Sequence, residues 1–327
     1  MARKDSNLTV LVFPEYSNGM VKFKNSGVID MQTARISAAV ANVWRQPRVS
    51  SIDRLALDND GLSSWLNRLS DADTVALERN NRLVTQALFN DPFVIDRVVD
   101  GWAYGYVATQ VDARHPQGYP GWVWAAQLSL VPLPLRTGTT VTVKRGFTPL
   151  LRPDGSTLRL LTLGTELPVV DSQDHRYDLV QTPLGIGKVA KRATQFAFAD
   201  QHLTTGAKMV RLGRDFLDLR YLWGGVSAYG FDCSGFVYSL HRTIGVRLPR
   251  DASDQALVGT TIPLADAQPG DLCFFAHDHG NGAIHHVAMY AGDGWLLHAP
   301  TPGKHVTYLQ LAATYLKDEL VAVKHNW

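Results

Sequence analysis

Cysteine is scarce in this sequence. Only two cysteines, Cys233 and Cys273, occur among 327 residues, and they stand in very different surroundings. They offer neither the dense pattern of a disulfide-stabilised secreted domain nor the paired spacing of a zinc site. The sequence therefore excludes a disulfide scaffold, and each cysteine has to be interpreted from its own neighbours.

Long apolar segments are missing as well. The only apolar run near the start, 8–14, is interrupted by Thr9 and is too short for the core of a signal peptide or for a membrane-spanning helix. We therefore expect a cytoplasmic protein without a membrane partner. It would be exported if the natural chain carried a signal ahead of this sequence.

An excess of one charge is the third absence. With 32 basic and 30 acidic residues the formal net charge is +2, and no run of lysine or arginine stands out. This balance gives no reason to expect a nucleic acid or an anionic membrane as partner. The 45% hydrophobic and 19% charged residues are typical of a folded protein. At about 150 residues per domain, the length predicts two or three domains.

Two N-terminal stretches share a pattern of short apolar strands separated by polar turns. The first stretch comprises 93–99, 102–108 and 121–125, and the second comprises 167–170, 177–180 and 185–190. Short strands at this spacing are typical of small β-barrels. We therefore predict a first barrel domain over 1–131 and a second over 132–203.

Between the early strands of the first barrel, apolar residues recur near a helical period. They are Leu62, Trp65, Leu66, Leu69 and Leu77. A period close to that of an α-helix indicates an amphipathic helix. We predict a helical insertion in the first domain, over about 58–90.

From residue 204 the pattern changes to longer helices followed by strands. A helix is predicted over 207–217, and a second begins after Asp232 as N-cap and ends at Gly245, which can adopt a left-handed conformation. Apolar strands follow at 271–275, 286–290 and 295–299. We expect helices packed on an antiparallel sheet, the α+β class, in a third domain over 204–327.

Cys233 lies in the first turn of the second predicted helix. There the positive end of the helix dipole and the free N–H groups favour a thiolate, which would make Cys233 a usable nucleophile. Cys273 lies inside an apolar strand and is expected to be a small buried hydrophobe, the more frequent role of an isolated cysteine. Cys233 departs from that role because a glycine-rich loop precedes it and polar residues flank it.

A nucleophilic cysteine needs a base within hydrogen-bonding reach and a third group that orients the base. His286 and His298, on two neighbouring predicted strands, are the candidates. If 292–294 forms a three-residue hairpin loop, the two histidines share a face of the sheet, whereas a two-residue loop would put them on opposite faces. We therefore predict the odd-numbered loop. His285 should point to the other face and take no part.

A metal site is an alternative use of the histidines in this region. His277, His279 and His285 lie near Asp278, but they occupy a segment rich in glycine and asparagine. They place no pair of ligands on a regular element. We expect neither a metal nor another cofactor.

Six short motifs occur in a fixed order in the C-terminal part. They are Tyr221-Leu-Trp-Gly-Gly, Gly230-Phe-Asp-Cys-Ser-Gly-Phe, Leu248-Pro-Arg-Asp-Ala-Ser-Asp-Gln, Pro269-Gly-Asp-Leu, His286-Val-Ala-Met-Tyr and His298-Ala. This ordered set resembles the NlpC-type bacterial cell-wall cysteine peptidases. The resemblance implies a papain-like domain in which Cys233 is the nucleophile, His286 the base and His298 the residue that orients it.

The two upstream barrels resemble bacterial SH3-type domains. The whole arrangement is similar to enzymes that cleave the γ-D-glutamyl to diamino-acid bond of murein peptides with a free N-terminal L-alanine. In that group an acidic residue and a tyrosine of the first barrel hold the alanine ammonium, and Glu78 and Tyr119 are the positions that fit. By the same resemblance the pocket is lined by Trp223, Asp232, Ser234, Arg250 and Asp251. Without the resemblance, these seven residues would be a solvated carboxylate, a turn tyrosine, and packing or capping residues.

The resemblance implies a hydrolase whose partner is a murein peptide. An amidase or acyltransferase on the same Cys-His-His scaffold is an alternative; it would not need a free amine in its substrate, so Glu78 and an enclosed pocket distinguish the two. A non-catalytic wall-peptide binding protein is a further alternative. The intact Cys233, His286 and His298 argue against it.

Overall fold

The computed structural model of the chain describes residues 32–130 and 138–327. The apolar run at 8–14 and the predicted domain boundary at 131–132 lie outside the described residues. No helix within the two described ranges has the length and apolar character needed to cross a membrane.

Residues 32–129 form a seven-stranded antiparallel sheet, ordered β3-β2-β6-β5-β4-β1-β7. Its strands are β1 (Gln32–Ile36), β2 (Val40–Trp44), β3 (Leu83–Leu88), β4 (Pro92–Val99), β5 (Trp102–Val107), β6 (Tyr119–Trp124) and β7 (Leu128–Ser129). Side chains alternate between the two faces, and strands from both ends of the sheet meet in one core, where Ala34, Ala87 and Phe93 are buried. This arrangement is consistent with the predicted β-barrel.

Two helices separate β2 from β3. They are α1 (Leu62–Leu66) and α2 (Asp71–Arg79). Buried Trp65 and Leu77 attach them to the molecule's largest apolar core. The predicted helical stretch over about 58–90 is wrong beyond Arg79, because the chain enters strand β3 at Leu83. There β-branched residues such as Val84 suit a strand, and pairing with β2 satisfies the backbone.

Residues 140–190 form a second antiparallel sheet, ordered β10-β9-β13-β12-β11-β8. Its strands are β8 (Thr140–Thr142), β9 (Phe147–Leu151), β10 (Thr157–Thr162), β11 (Glu166–Asp171), β12 (Tyr177–Thr182) and β13 (Gly185–Ala190). Leu150, Leu161 and Val180 lie in its core. The short helix α3 (Lys191–Thr194) then leads to the third part of the chain.

The third part packs helices on a six-stranded antiparallel sheet, ordered β16-β21-β17-β18-β19-β20, which confirms the predicted α+β class. In chain order the elements are α4 (Thr205–Gly213), β14 (Val226–Ser227), β15 (Gly230–Phe231), α5 (Cys233–Arg242), α6 (Ala252–Gln255), β16 (Thr260–Ile262), β17 (Leu272–Ala276), β18 (Ile284–Gly292), β19 (Trp295–His298), β20 (Thr307–Gln310), α7 (Leu316–Glu319) and β21 (Leu320–His325). Phe236 of α5 packs in one core with Val287 and Leu297 of the sheet.

Helix α5 is held to both N-terminal sheets by buried charges. Arg242, at its end, forms an ion pair with Asp91, which lies between β3 and β4, and its Nε lies 3.3 Å from a carboxylate oxygen of Glu166 on β11. Arg242 and Asp91 are both almost fully buried. Because losing one partner would leave a buried charge uncompensated, these contacts hold the three parts of the chain in one arrangement.

Candidate active site

Helix α5 begins at Cys233, so the thiol lies in its first turn, as predicted. The Asp232 side chain caps the helix and accepts a hydrogen bond from the Gly235 N–H at 2.6 Å, which confirms the predicted N-cap. Glycine is required at position 235 because a Cβ there would approach the carbonyl oxygen of Gly225 to 2.0 Å. This close approach holds the helix start, and with it the thiol, against the loop that precedes it.

A buried polar network lies beneath the helix start. Arg250, 2% exposed, donates hydrogen bonds to both carboxylate oxygens of Asp232, at 2.6 and 3.2 Å, and to the Ser234 hydroxyl at 2.9 Å. Its Nε–H donates to the Thr85 hydroxyl on β3 at 2.8 Å. The buried groups thus satisfy one another and tie the helix start to the first sheet. They fix the position of Cys233.

His286 on β18 and His298 on β19 share a face of the sheet, as predicted, and Nε2 of His286 lies 2.8 Å from Nδ1 of His298. The predicted reason is wrong. The turn has two residues, Asp293 and Gly294, both with positive φ, and not three. A β-bulge just before Gly292 supplies the additional residue that brings the two histidines to one face.

The Cys233 thiol meets β18 beside His286. Helix α5 packs on β18, and the backbone N–H of Val287, the residue that follows His286, acts to lower the pKa of Cys233. The candidate nucleophile and the candidate base therefore adjoin each other where α5 packs on the sheet. Because Nε2 of His286 is paired with His298, Nδ1 is the ring nitrogen that can accept the thiol proton.

Burial determines the protonation of this site. It raises the pKa of Cys233 to about 12, and the negative charge of Asp232 adds to the rise. Burial also lowers the pKa of His286 well below its ordinary value and that of His298 to about 4. The thiol and both imidazoles are therefore neutral at pH 7. Burial and the negative charge of Asp232 therefore act against the thiolate that the position of Cys233 at the helix start was predicted to favour.

Alkylation by iodoacetamide should report this protonation state. With a pKa of about 12, Cys233 should react about tenfold faster for each pH unit between about pH 6 and pH 9, without a plateau. Cys273 is fully buried and should stay unlabelled, and a Cys273→Ala protein gives the rate for Cys233 alone. Mass spectrometry counts the labels. A rate that levels off at or below neutral pH would instead indicate a thiolate–imidazolium pair.

Tyr221 is a site residue that the sequence analysis did not select. It is 3% exposed, and burial raises the pKa of its hydroxyl well above the ordinary value, with further contributions from Cys233, Asp232 and Glu78. The hydroxyl therefore keeps its proton and lies within electrostatic range of the thiol. Its place at the head of the motif Tyr221-Leu-Trp-Gly-Gly was the signal that could have identified it.

Glu78, on α2, lies at the same cleft. It is half-buried, and burial together with the negative charge of Asp232 raises the pKa of its carboxyl. Among residues 32–130 and 138–327, no basic side chain forms an ion pair with it. The half-buried Trp223 places its indole nitrogen 3.4 Å from the side chain of Asn81, just beyond the end of α2. A carboxylate partly removed from water, without a cationic partner, is suited to bind a cation of a ligand.

Tyr119, on β6, donates a hydrogen bond from its hydroxyl to Asp251 at 2.9 Å. Burial raises the pKa of both groups, and Arg250 and Asp232 also act on Tyr119. Tyr119 thus reaches from the first sheet to the network beneath Cys233. The structure brings the predicted pocket residues together: Glu78 and Tyr119 come from the first part of the chain, and the other five come from the third.

His285 departs from its predicted orientation. A β-bulge in β18 leaves it as the extra residue between the pairs Phe275–His286 and Ala276–Ile284. Its ring lies 6.3 Å from the ring of His286, centre to centre, and stacks on His277 at 4.0 Å. The prediction that His285 points to the opposite face is wrong because the bulge interrupts the alternation of side chains along the strand.

Comparison with known proteins gives consistent results. Residues 218–325 match the NlpC/P60 family. The chain is 36% identical over 293 residues to the gamma-D-glutamyl-L-lysine dipeptidyl-peptidase of Bacillus subtilis (strain 168), with 88% of this chain and 97% of the relative covered. The protein of the same name from Bacillus cereus (strain ATCC 10987 / NRS 248) is 29% identical, with 93% of this chain and 92% of the relative covered.

A solved structure is similar over the same extent. The crystal structure of an NlpC/P60 family protein from Bacillus cereus ATCC 10987 has a TM-score of 0.82 and 29% identity, covering 90% of this chain and 99% of that chain. The likeness therefore extends well beyond the C-terminal part that carries Cys233, His286 and His298.

Proposed function

Because this chain belongs to the NlpC/P60 family, we propose that it is a cysteine endopeptidase that hydrolyses the bond between γ-D-glutamate and a diamino acid in murein peptides. Two relatives named for the γ-D-glutamyl-L-lysine bond share most of its length. The substrate we assign is a free peptide whose first residue, L-alanine, keeps its ammonium group.

One observation carries the proposal. Nε2 of His286 lies 2.8 Å from Nδ1 of His298, and Cys233 begins helix α5, which packs on the strand that carries His286. These three side chains supply the nucleophile, the base and the orienting group that acyl transfer requires. Glu78 supplies specificity for a substrate with a free ammonium group. Its carboxylate lies at the same cleft and forms no ion pair with any of the residues that the structure describes.

The reaction begins when the γ-carbonyl carbon of D-glutamate reaches the Cys233 sulfur. Nδ1 of His286 takes the thiol proton as the sulfur attacks, and Nε2–H of the resulting imidazolium donates to Nδ1 of His298. His298 can accept because burial keeps its pKa at about 4, so its ring is neutral. His286 then gives its proton to the departing α-amine as the C–N bond breaks. Water, deprotonated by His286, hydrolyses the thioester and restores the thiol.

The carbonyl oxygen becomes negative during the attack and needs hydrogen-bond donors. The Cys233 N–H can serve because the first N–H groups of a helix have no partner within the helix. We propose the protonated hydroxyl of Tyr221, which acts electrostatically on the thiol, as the second donor.

Tyr221→Phe should lower kcat about 10- to 100-fold with little change in KM. The substitution removes the hydroxyl and keeps the buried ring, so the transition state loses a donor while the cleft keeps its shape. Steady-state kinetics on a murein tripeptide separates kcat from KM, and thermal unfolding checks that the fold is retained. An unchanged kcat would remove Tyr221 from the chemistry.

His298→Ala should reduce kcat about tenfold, because this variant loses the orienting group and keeps the base. His286→Ala, which loses the base, should reduce kcat more. His298→Gln supplies an acceptor oxygen in place of Nδ1 and should recover part of the loss. The three variants are compared on the same peptide. If His286→Ala proves the milder change, the two histidines exchange roles.

The N-terminal sheets belong to the same proposal. We assign 1–131 and 132–203 to bacterial SH3-type domains, the first with a helical insertion, and 204–327 to the catalytic domain. The first sheet would then form a wall of the active site and not a remote tether. The hydrogen bonds from Arg250 to Thr85 and from Tyr119 to Asp251 both join the first sheet to the segment that precedes α6 in the third part of the chain, and they support this role.

Product analysis tests the proposal. Incubated with L-Ala-γ-D-Glu-L-Lys, or with the diaminopimelate equivalent, the protein should release L-Ala-γ-D-Glu and the free diamino acid, as measured by mass spectrometry. An acyltransferase would instead pass the L-Ala-γ-D-Glu group to an added amine. A non-catalytic binding protein would return the peptide intact. Either result would contradict the peptidase assignment.

A further inference from the structure

Three side chains converge at a place that the proposed reaction does not use. His277 lies in the turn after β17, His285 on β18 and Glu319 at the end of α7. One ligand atom from each lies within 4.8 Å of the others. Glu319 follows His285 by 34 residues, so the grouping was not visible in the local histidine pattern.

We propose that His277, His285 and Glu319 bind one divalent cation of the zinc class. Two imidazole nitrogens and one carboxylate oxygen are a ligand set that zinc accepts, and they leave a fourth position for water. Imidazole ligands favour zinc, copper and nickel over magnesium and calcium, which prefer oxygen ligands.

The distances suit such an ion. In a tetrahedral site, metal–ligand bonds of about 2.0–2.1 Å put neighbouring ligand atoms about 3.3 Å apart. Nε2 of His285 and a carboxylate oxygen of Glu319 are 2.9 Å apart, so the ion would take the place of the proton that now lies between them. The His277 ring stacks on His285 and is exposed to solvent, so it is free to turn its nitrogen toward the ion.

An ion in this position would join three segments that are separate in sequence: the turn after β17, the bulge in β18, and the C-terminal helix α7. His285 is the extra residue of the bulge, and His286 follows it directly. A metal bond to His285 would therefore fix the bulge and with it the direction of His286. The assigned role is structural, and the ion does not take part in the hydrolysis.

Zinc titration of the full chain without an affinity tag, after dialysis against a chelator, tests the proposal. Isothermal titration calorimetry should give a single site. His277→Ala should weaken binding at least about tenfold. His279→Ala is the matched control, since His279 is an exposed histidine of the same turn, and it should bind as the wild type does. Glu319→Gln keeps a hydrogen-bonding side chain but is a poorer ligand, so it should also weaken binding.

Thermal unfolding gives a second measurement. Zinc should raise the melting temperature of the wild type and of His279→Ala, because an ion that binds only the folded state stabilises it, and it should not raise that of His277→Ala. The active site offers competing ligands, so Cys233→Ala must keep the zinc affinity. The proposal is overturned if Cys233→Ala loses the affinity, if His277→Ala and His279→Ala bind equally well, or if the wild type binds no zinc. None of these results depends on peptide hydrolysis, so the outcome is separate from the proposed function.

Discussion

Cys233→Ser should lower kcat at least about 10³-fold, because the reaction depends on a nucleophile that gives up its proton to a weak base. Burial lowers the pKa of His286 well below its ordinary value and raises that of Cys233 to about 12, so the proton transfer is unfavourable even from the thiol. A serine hydroxyl is a far weaker acid than a thiol in the same surroundings. His286→Ala should be comparably inactive, since no base then accepts the proton.

Initial rates of L-Ala-γ-D-Glu-L-Lys cleavage, with thermal unfolding as the check on folding, measure this loss. The matched control is Cys273→Ala. Cys273 is fully buried on β17 and belongs to an apolar cluster that does not include Cys233, so its replacement should leave kcat unchanged. Turnover retained by the purified Cys233→Ser protein would mean that another residue is the nucleophile.

The features of the site that the sequence predicts correctly are set by local patterns. Asp232 as N-cap and Gly245, with φ +81°, fix the ends of α5, and each is visible in a few consecutive residues. The sequence analysis correctly predicts that His286 and His298 share a face of the sheet, but the cause differs from the predicted one. A bulge depends on which residues of the neighbouring strand are paired, and the spacing along one strand does not reveal that.

The features that the sequence does not predict depend on burial and on distant segments. The helix dipole is a local property, whereas desolvation of the Cys233 thiol arises only when the sheet covers the helix start. The predicted helical insertion over about 58–90 included strand β3, although the periodic residues that indicated a helix end at Leu77, and the pairing of β3 with β2 becomes visible only in the fold. Glu319 approaches His285 only through the folding of the C-terminal segment.

The free amino terminus of the substrate should control the rate. Wild-type protein should cleave L-Ala-γ-D-Glu-L-Lys at least about 30-fold more efficiently, in kcat/KM, than the same peptide with an acetylated alanine. Acetylation removes the ammonium and leaves the half-buried Glu78 carboxylate without a cation. Leaving one charge of a buried pair unpaired costs about 2–5 kcal/mol, which corresponds to a factor of about 30 or more.

Glu78→Gln should reduce kcat/KM about 10- to 100-fold on the free peptide. The slow cleavage of the acetylated peptide should change little. The ratio of the two kcat/KM values should therefore become smaller. Asp58→Asn is the matched control, since it removes one negative charge from the same part of the chain at an exposed position. Because burial raises the pKa of Glu78, acid should protonate it sooner than an exposed glutamate. KM for the free peptide should therefore rise as the pH falls toward that raised pKa, in the wild type and not in Glu78→Gln. Equal cleavage of both peptides by the wild type would contradict the ammonium site and would favour a hydrolase with a broader range of substrates.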